Sequence, residues 1–352
     1  MTPVKVDFVE GEAVDIEPGG IVHLADGKRE RADRIVLATG NETPAELSGA
    51  ETLSDHPAWI GNPWLPWHQR LPAHGGIVVL LGTGLTTVDA VITLRALGWP
   101  GSIHAVSRHG WLPQAHFRGI EYPDFPPLGI DLAALGLEKL IALAEEHCAR
   151  LRELGANPAI IVDKMRPHTQ QIWQSFTTEE KLTFARQHAA RWNILRHRIA
   201  PEIHAQITSA QLTGQLTVHA ANIERVAAAD GKVRVHLSGG KQLEGDLVVN
   251  ATGPQARFTA TRSVLLQNLL RRGLVSPDEM DMGVRVDADH TVIAGDGVRS
   301  PLLLALGPLL RGTFWETIAV PELRGQARRV AETLLDQAHT EDAAPTMMEY
   351  MI

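Results

Sequence analysis

The hydrophobic pattern is organised around residues 77–108. Ile77 to Leu81 is an unbroken apolar run, which predicts a parallel strand buried on both faces. Gly82 and Gly84 follow, and then Val88, Val91, Ile92, Leu94 and Leu97 recur at helical spacing. Gly98, Pro100 and Gly101 end that helix, because proline cannot continue it and glycine permits the turn. Ser102 to Val106 predicts a second strand, which closes at Ser107, Arg108 and His109. Strand, glycine turn, helix and strand within about 30 residues is a layout that aims free backbone N–H groups at a pyrophosphate.

Around this unit the pattern predicts mostly short strands. Val4 to Val9 alternates, Val14 to Ile16 leads to a turn at Glu17–Gly20, and Ile21 to Leu24 leads to a turn at Asp26–Gly27. Arg34 to Ala38 is apolar again and runs into Thr39 and Gly40, so a three-stranded meander is expected to feed a buried parallel strand. Residues 216–253 read as a second copy of this block. Leu216 to Val226 and Lys232 to Leu237 lead through a turn at Ser238–Gly240 to Asp246, a buried run, and Ala251, Thr252 and Gly253. Both copies thus end in an acidic residue, a buried strand and Ala-Thr-Gly, with Asp33 to Gly40 matching Asp246 to Gly253. Small residues at such exits let backbone pass close to a nucleotide or another chain segment.

Residues 41–75 carry Trp59, Trp64 and Trp67 among prolines, either as packing anchors or facing a bound group. Residues 110–130 are again rich in proline and glycine. Helical spacing returns over Asp131–Leu154, Pro167–Phe176 and Thr178–His204, so residues 131–215 read as a mostly helical insertion able to cover a cleft. Its last helix carries Arg186, His188, Arg191, Arg196, His197 and Arg198, either a solvated face or a contact for anionic groups. A helix is expected at Ser263–Arg272, strands at Thr291–Ala294 and Leu302–Leu306, and a final helix at Pro321–Leu335. The tail from His339 is polar, then methionine-rich, and is expected to fray.

Composition narrows the picture. The 352 residues are 44% hydrophobic and 21% charged, with a net charge of −8, which suits a globular protein and gives no global attraction to nucleic acid or anionic membrane. No apolar run approaches the ~18 residues of a membrane-spanning helix, and the N-terminus has no apolar signal core. A cytoplasmic location is the expectation. The single cysteine, Cys148, excludes a disulfide within the chain and has no local base to activate it. His68 with His74, or His104 with His109, lacks a third ligand at suitable spacing, so no metal is expected.

The candidate chemistry lies at the glycine turn. Gly82, Thr83, Gly84, Leu85 and Thr86 are the candidate pyrophosphate residues, although Thr87 stands where the fingerprint has its third glycine. A carboxylate at the end of the second strand would read the ribose 2′-hydroxyl of NAD. Here Ser107 and Arg108 offer a hydroxyl and a guanidinium, which suit a 2′-phosphate and therefore NADPH; the alternative is an ordinary crossover with a surface arginine.

Paired Ala-Thr-Gly exits around a nicotinamide-type Rossmann unit resemble the two-dinucleotide flavoproteins. The run Gly82–Thr86 with Asp89, and the run from Ala305 to Ala327, look closest to a bacterial branch of FAD/NAD(P)-binding proteins. The resemblance extends from about residue 30 to residue 335. It implies an α/β fold, with a Rossmann-like NAD(P)H domain inserted in a partial FAD-binding domain, β-meanders and a mostly helical insertion. The expected divisions are 1–75 for the first part of the FAD domain, 76–130 for the Rossmann unit, 131–215 for the helical insertion, 216–338 for the second FAD part and 339–352 for the tail.

The same resemblance implies an FAD-dependent, NADPH-linked oxidoreductase similar to the flavin monooxygenases, with FAD and NADPH as cofactors and a small molecule as substrate. It assigns Thr39, Gly40, Thr252 and Gly253 to the two crossings. For the late flavin-side turn, Gly295–Asp296 has the residues and Gly307–Pro308 the better place. Gly307 and Pro308 are favoured, with Val320 and Pro321 opening the following helix. Such proteins begin with their own strand-Gly-x-Gly-x-x-Gly-helix, which this sequence does not show near its start. A nucleotide-binding protein that needs a separate FAD unit, or a reductase of diffusible flavin, therefore stays open. No acid or base is assigned, and the sequence is compatible with a homo-oligomer.

Overall fold

The structure is a computed structural model, and it describes residues 5–73, 75–117 and 119–339. The strands in chain order are β1 (Ala13–Ile16), β2 (Ile21–Leu24), β3 (Arg29–Arg31), β4 (Ile35–Leu37), β5 (Trp59–Ile60), β6 (Ile77–Leu81), β7 (Ser102–Ser107), β8 (Leu216–Ala220), β9 (Ile223–Ala229), β10 (Lys232–Leu237), β11 (Gln242–Gly245), β12 (Leu247–Asn250), β13 (Thr291–Ile293) and β14 (Arg299–Ala305). The helices are α1 (Leu85–Ala96), α2 (Gly136–Glu153), α3 (Ala159–Met165), α4 (Thr169–Ser175), α5 (Thr178–Gln187), α6 (Ala189–Arg196), α7 (Pro201–Leu212), α8 (Val264–Arg271), α9 (Arg311–Phe314) and α10 (Val320–His339). The chain divides into two compact units, Thr43–Gln255 and Met1–Glu42 with Ala256–Ile352.

The first unit is built on a parallel sheet in the order β5-β12-β6-β7-β8. Its middle strand β6 is apolar at every position, and β12 and β7 carry apolar residues on both faces, because both faces of the sheet are covered. Val78, Leu80, Ile103, Ala105, Leu247 and Val249 pack with α1 and α7, while Val79, Leu81, Val106 and Val248 pack with the antiparallel meander β9–β11. Asp246 ties two strand starts together. Its carboxylate accepts the Ile77 N–H at 2.9 Å and pairs with Lys232, which holds its pKa below the ordinary value. Trp59 and Trp67 are buried in these cores as packing anchors, whereas Trp64 is exposed.

Two expectations change here. Leu216–Ala220 does not open the second meander; it is the parallel edge strand beside β7. The stretch Thr178–His204 is three helices rather than one. α5 ends at His188, and α6 ends before Pro201, which cannot sit inside a helix and instead opens α7 behind an extended Ala200. Within the helical insertion, Thr177 and Glu180 form a capping box at α5, and Glu180 also accepts the Leu137 N–H at the start of α2.

The other unit has two small sheets, β1-β2-β3 and β13-β14-β4. β4 and β14 are parallel, and Leu37 and Leu303 lie in a core with Leu265, Leu266, Leu269 and Phe314. α8 lies against β1, where Asn268 donates to the Val14 carbonyl and Arg272 pairs with Asp15 at 2.6 Å. The meander is β1–β3. The expected strand Val4–Val9 does not form over its described part, since residues 5–9 are exposed and have no pairing strand. Val4 and the tail beyond His339 lie outside the described residues. No helix among the described residues is long and apolar enough to cross a membrane.

Candidate nucleotide-binding site

The glycine turn lies at the C-terminal end of β6, between the exits of β7 and β12. The Gly82 N–H donates to the Val106 carbonyl at 2.7 Å, which locks the turn to the neighbouring strand. Gly82 adopts φ +120°, and a Cβ there would lie 2.2 Å from the Ala251 carbonyl oxygen. Glycine is therefore required at this point by the crossing backbone of the second Ala-Thr-Gly segment. Thr87, in the third fingerprint position, is fully buried and donates its hydroxyl to the Gly82 carbonyl at 2.8 Å. A small side chain with a hydrogen bond here does the packing that a glycine would do.

Gly84 is the N-cap of α1 and is exposed, with φ −83°, and a Cβ added to it would meet nothing within 4 Å. The space above it is open. Leu85 is also exposed and Thr86 half-buried, and their N–H groups belong to the first helical turn, which has no intrahelical acceptor. This twelve-residue helix therefore presents the positive end of its dipole at an open glycine.

A hydroxyl network closes the corner beside it. Thr83 donates to the Trp111 carbonyl at 2.5 Å, so its single hydrogen is used there. The Ser107 hydroxyl, 2.8 Å from Thr83 Oγ1, must then be the donor in that pair, and it accepts the Gly110 N–H at 3.1 Å. Ser107 thus braces the loop after β7. Arg108 is exposed, and His109 stacks on Trp111 with ring centroids 4.3 Å apart and planes 19° from parallel. Trp111 carries no periodicity or motif in the sequence, so its approach to His109 is visible only in the fold.

In the same unit Asn250, at the end of β12, is buried and bonded on both sides. It donates to the Ala45 carbonyl at 3.0 Å and accepts the Thr252 hydroxyl at 2.7 Å. Thr252 is exposed and Gly253 adopts φ +90°. Gly82, Thr83, Gly84, Leu85, Thr86, Ser107, Arg108, Thr252 and Gly253 are therefore placed on one unit, at or beside adjoining strand exits.

Thr39, Gly40, Gly307, Pro308, Val320 and Pro321 belong to the other unit. Thr39 and Gly40 are exposed after β4, and Gly307 follows the neighbouring parallel strand β14, where Leu306 N–H donates to the Leu37 carbonyl. Gly307 is buried, and its N–H donates to Gln326 Oε1 at 2.6 Å; Gln326 in turn donates to the Thr317 carbonyl at 3.1 Å. Val320 and Pro321 are exposed at the start of α10. The rival turn at Gly295–Asp296 links antiparallel β13 and β14, with Asp296 accepting the Val298 N–H.

Sequence reasoning passed over a buried polar group in this unit. Asp278 accepts the N–H groups of Met280 and Met282 through Oδ1, while Oδ2 is buried without a hydrogen-bond partner. Burial pushes its pKa up to about 6. In the same unit, Trp315 sits at φ 62° and ψ −70°, with the Glu316 N–H donating to the Phe314 carbonyl at 2.8 Å. That is the strained form of the γ-turn. His290 packs against Phe314 with its Nδ1 unpartnered, and burial lowers its pKa to about 4.

The remaining candidates are accounted for by packing. His104 pairs with His219 of the adjacent strand at 2.9 Å, and His74 lies outside the described residues. No group of three or more metal-ligating side chains occurs among the described residues. Cys148 is buried, and that burial raises its thiol pKa. In the basic run, Arg191 pairs with Glu145 and Arg198 with Asp163, so those two charges are engaged structurally.

No protein-family model matches the chain. No curated protein matches it in sequence either. Solved structures do match in fold. The L-lysine 6-monooxygenase of Pseudomonas syringae aligns with a TM-score of 0.58 at 16% identity, over 91% of this chain and 66% of that one. The ornithine N-hydroxylase of Kutzneria sp. 744, solved with reduced FAD, NADP+ and L-ornithine, gives 0.55 at 17% identity, over 95% and 72%. A ferredoxin reductase for the CYP199A2 system of Rhodopseudomonas palustris gives 0.50 at 18% identity, over 93% and 58%. The chain thus spans less than two thirds of the Pseudomonas monooxygenase and of the ferredoxin reductase. At these identities the likeness establishes the fold: an α/β chain with the Rossmann-like architecture of these oxidoreductases.

Proposed function

We propose that this chain is an FAD-dependent, NADPH-linked oxidoreductase of the flavin monooxygenase type, acting on a small molecule. The observation that carries the reading is the open N-cap at Gly84 beside an exposed Arg108, at the exits of two adjacent parallel strands. The chain's own residues divide the work of holding a nicotinamide nucleotide. The first-turn N–H groups of Leu85 and Thr86 meet the pyrophosphate, with the helix dipole behind them. Gly84 keeps that approach clear. Arg108 takes the 2′-phosphate, and Ser107, whose hydrogen is engaged by Thr83, holds the loop that presents it.

On the flavin side the residues fit a ring edge rather than a pyrophosphate. The twenty-residue α10 starts at an exposed Val320, and the buried Thr317 hydroxyl three residues earlier has no partner. Since Gln326 takes the Gly307 N–H, that glycine contributes its carbonyl and its turn, not a donor. Bound there, a nicotinamide would supply hydride chemistry and a flavin would supply electron transfer to oxygen or another acceptor.

One observation favours a second reading. Among the described residues, a strand-glycine-helix turn of the pyrophosphate type occurs only at Gly82–Gly84. A reductase that takes flavin as a diffusible substrate would need only that one. Calorimetric titration of the purified chain with NADPH and with FAD separates the readings. The flavoenzyme reading requires tight binding of both; tight NADPH binding with weak FAD binding selects the reductase; no NADPH binding removes both.

A further inference from the structure

The corner that follows β7 holds more than a charge for the ribose. Two exposed aromatic side chains, His109 and Trp111, lie face to face immediately after Arg108, with centroids 4.3 Å apart and planes 19° from parallel. Trp111 is 42% exposed, too open for a packing anchor. The loop that carries the pair is fixed from beneath, because Thr83 binds the Trp111 carbonyl and Ser107 binds the Gly110 N–H. Gly110 itself adopts φ +64° against Ala220 of the neighbouring strand, which turns the chain so that residues 109 and 111 meet. An exposed, pre-stacked pair on a braced loop has its ordering cost met before any ligand arrives.

We infer that His109 and Trp111 form the adenine platform of the nucleotide site: the purine of a bound adenine nucleotide stacks on the outer face of the pair while Arg108 holds the 2′-phosphate. This rests on the Rossmann reading given above and adds the base to it. A ribose at Arg108 carries its base toward the residues that follow β7, and every purine has a π-face that a flat aromatic surface can take without reading its edges. The platform therefore contributes affinity for adenine nucleotides as a class. Choice between NADPH and NADH stays with Arg108. The two roles separate cleanly because stacking is blind to the 2′-phosphate.

The test uses the whole chain and two flavin-free probes, adenosine 2′,5′-bisphosphate and adenosine 5′-phosphate, by equilibrium binding. His109→Ala and Trp111→Ala should each weaken both probes by a similar factor, about 5- to 100-fold. Arg108→Ala should weaken only the bisphosphate. Trp111→Phe keeps a stacking face and should restore most of the affinity, which a purely structural role for the indole would not do. If both alanine variants leave both affinities unchanged while Arg108→Ala still discriminates, the platform is wrong and the Rossmann reading stands. The platform also fails if Trp111→Phe binds as poorly as Trp111→Ala. If the wild-type chain binds neither probe, the nucleotide site itself is wrong and the platform falls with it.

Discussion

The α-carbon of Gly82 faces the carbonyl of Ala251, and a Cβ on it would lie 2.2 Å from that oxygen. Two residues later Gly84 faces open space. The two glycines of one motif therefore answer to different demands, the first to the fold and the second to whatever approaches the helix end. Gly82→Ala should destabilise the chain by about 2–4 kcal/mol, since it adds a clash with backbone to a left-handed φ. Gly84→Val should cost under about 1 kcal/mol in stability but weaken NADPH at least tenfold, because its side chain occupies the approach of the pyrophosphate. Thermal melts and NADPH titrations of the two variants check this. Equal stability losses would contradict the division.

Arg108 is exposed, on the loop that follows β7. Arg108→Glu should leave the melting temperature within a degree or two and remove the preference for NADPH over NADH. The expected loss is about 10- to 100-fold in relative affinity, the scale of a charged hydrogen bond lost and a repulsion gained. The ratio of the two dissociation constants is the readout, and it should narrow further for the wild type as salt rises.

Thr83 and Ser107 are coupled through a hydroxyl pair whose donor direction is set by the Trp111 carbonyl. Thr83→Val should cost about 1–3 kcal/mol, because it leaves that carbonyl and the Ser107 hydroxyl without their partner. Adding Ser107→Ala should cost less than it does alone, giving a coupling of about 0.5–1.5 kcal/mol in a double-mutant cycle. Additive losses would mean that the two hydroxyls do not share a hydrogen bond.

Asp278 and His290 give one unit two opposed pH dependences. Burial raises the Asp278 pKa from 3.8 to about 6, so its contribution to stability is fully present below pH 3.8 and is lost as pH rises through 6. Burial lowers the His290 pKa from 6.5 to about 4, so its contribution is present above pH 6.5 and is lost as pH falls through 4. The two nearly offset each other between pH 4 and 6. Asp278→Asn keeps the acceptor for Met280 and Met282, and it should stabilise the chain at pH 7 relative to pH 4 by on the order of 1–3 kcal/mol. It should also leave the acid loss due to His290 uncovered. His290→Asn, which tolerates the left-handed φ of 68° at that position, should remove that acid loss. Denaturant midpoints across pH measure both.

The unit β6–α1–β7 was legible because each of its strands is apolar on both faces and its helix has a clean stop at Gly98–Pro100. β8 was assigned to the wrong neighbour for a physical reason. Only Ala221 and Asn222 separate it from β9, without a glycine or proline turn, so a parallel edge strand and a meander strand read as one run. The alternation over Val4–Val9 was real, but alternation makes a strand only where an edge is available to pair with. The candidate pyrophosphate residues Gly82–Thr86 stand out in the sequence because local spacing encodes the glycine turn. The His290–Phe314 contact is not legible in the sequence, since more than twenty residues separate the partners and no periodicity links them. Likewise the Thr83–Ser107 bond, which turns a candidate phosphate ligand into a brace, depends on two strand exits lying side by side.

Reduction of a flavin by NADPH is the central claim for this chain. The most direct measurement is the visible absorption spectrum of the purified chain supplied with FAD, before and after NADPH is added without oxygen. Flavin bands should stay with the protein through gel filtration and bleach on NADPH, with much slower bleaching by NADH and by the Gly84→Val variant. A spectrum that NADPH leaves unchanged, with FAD present and NADPH bound, would contradict the claim.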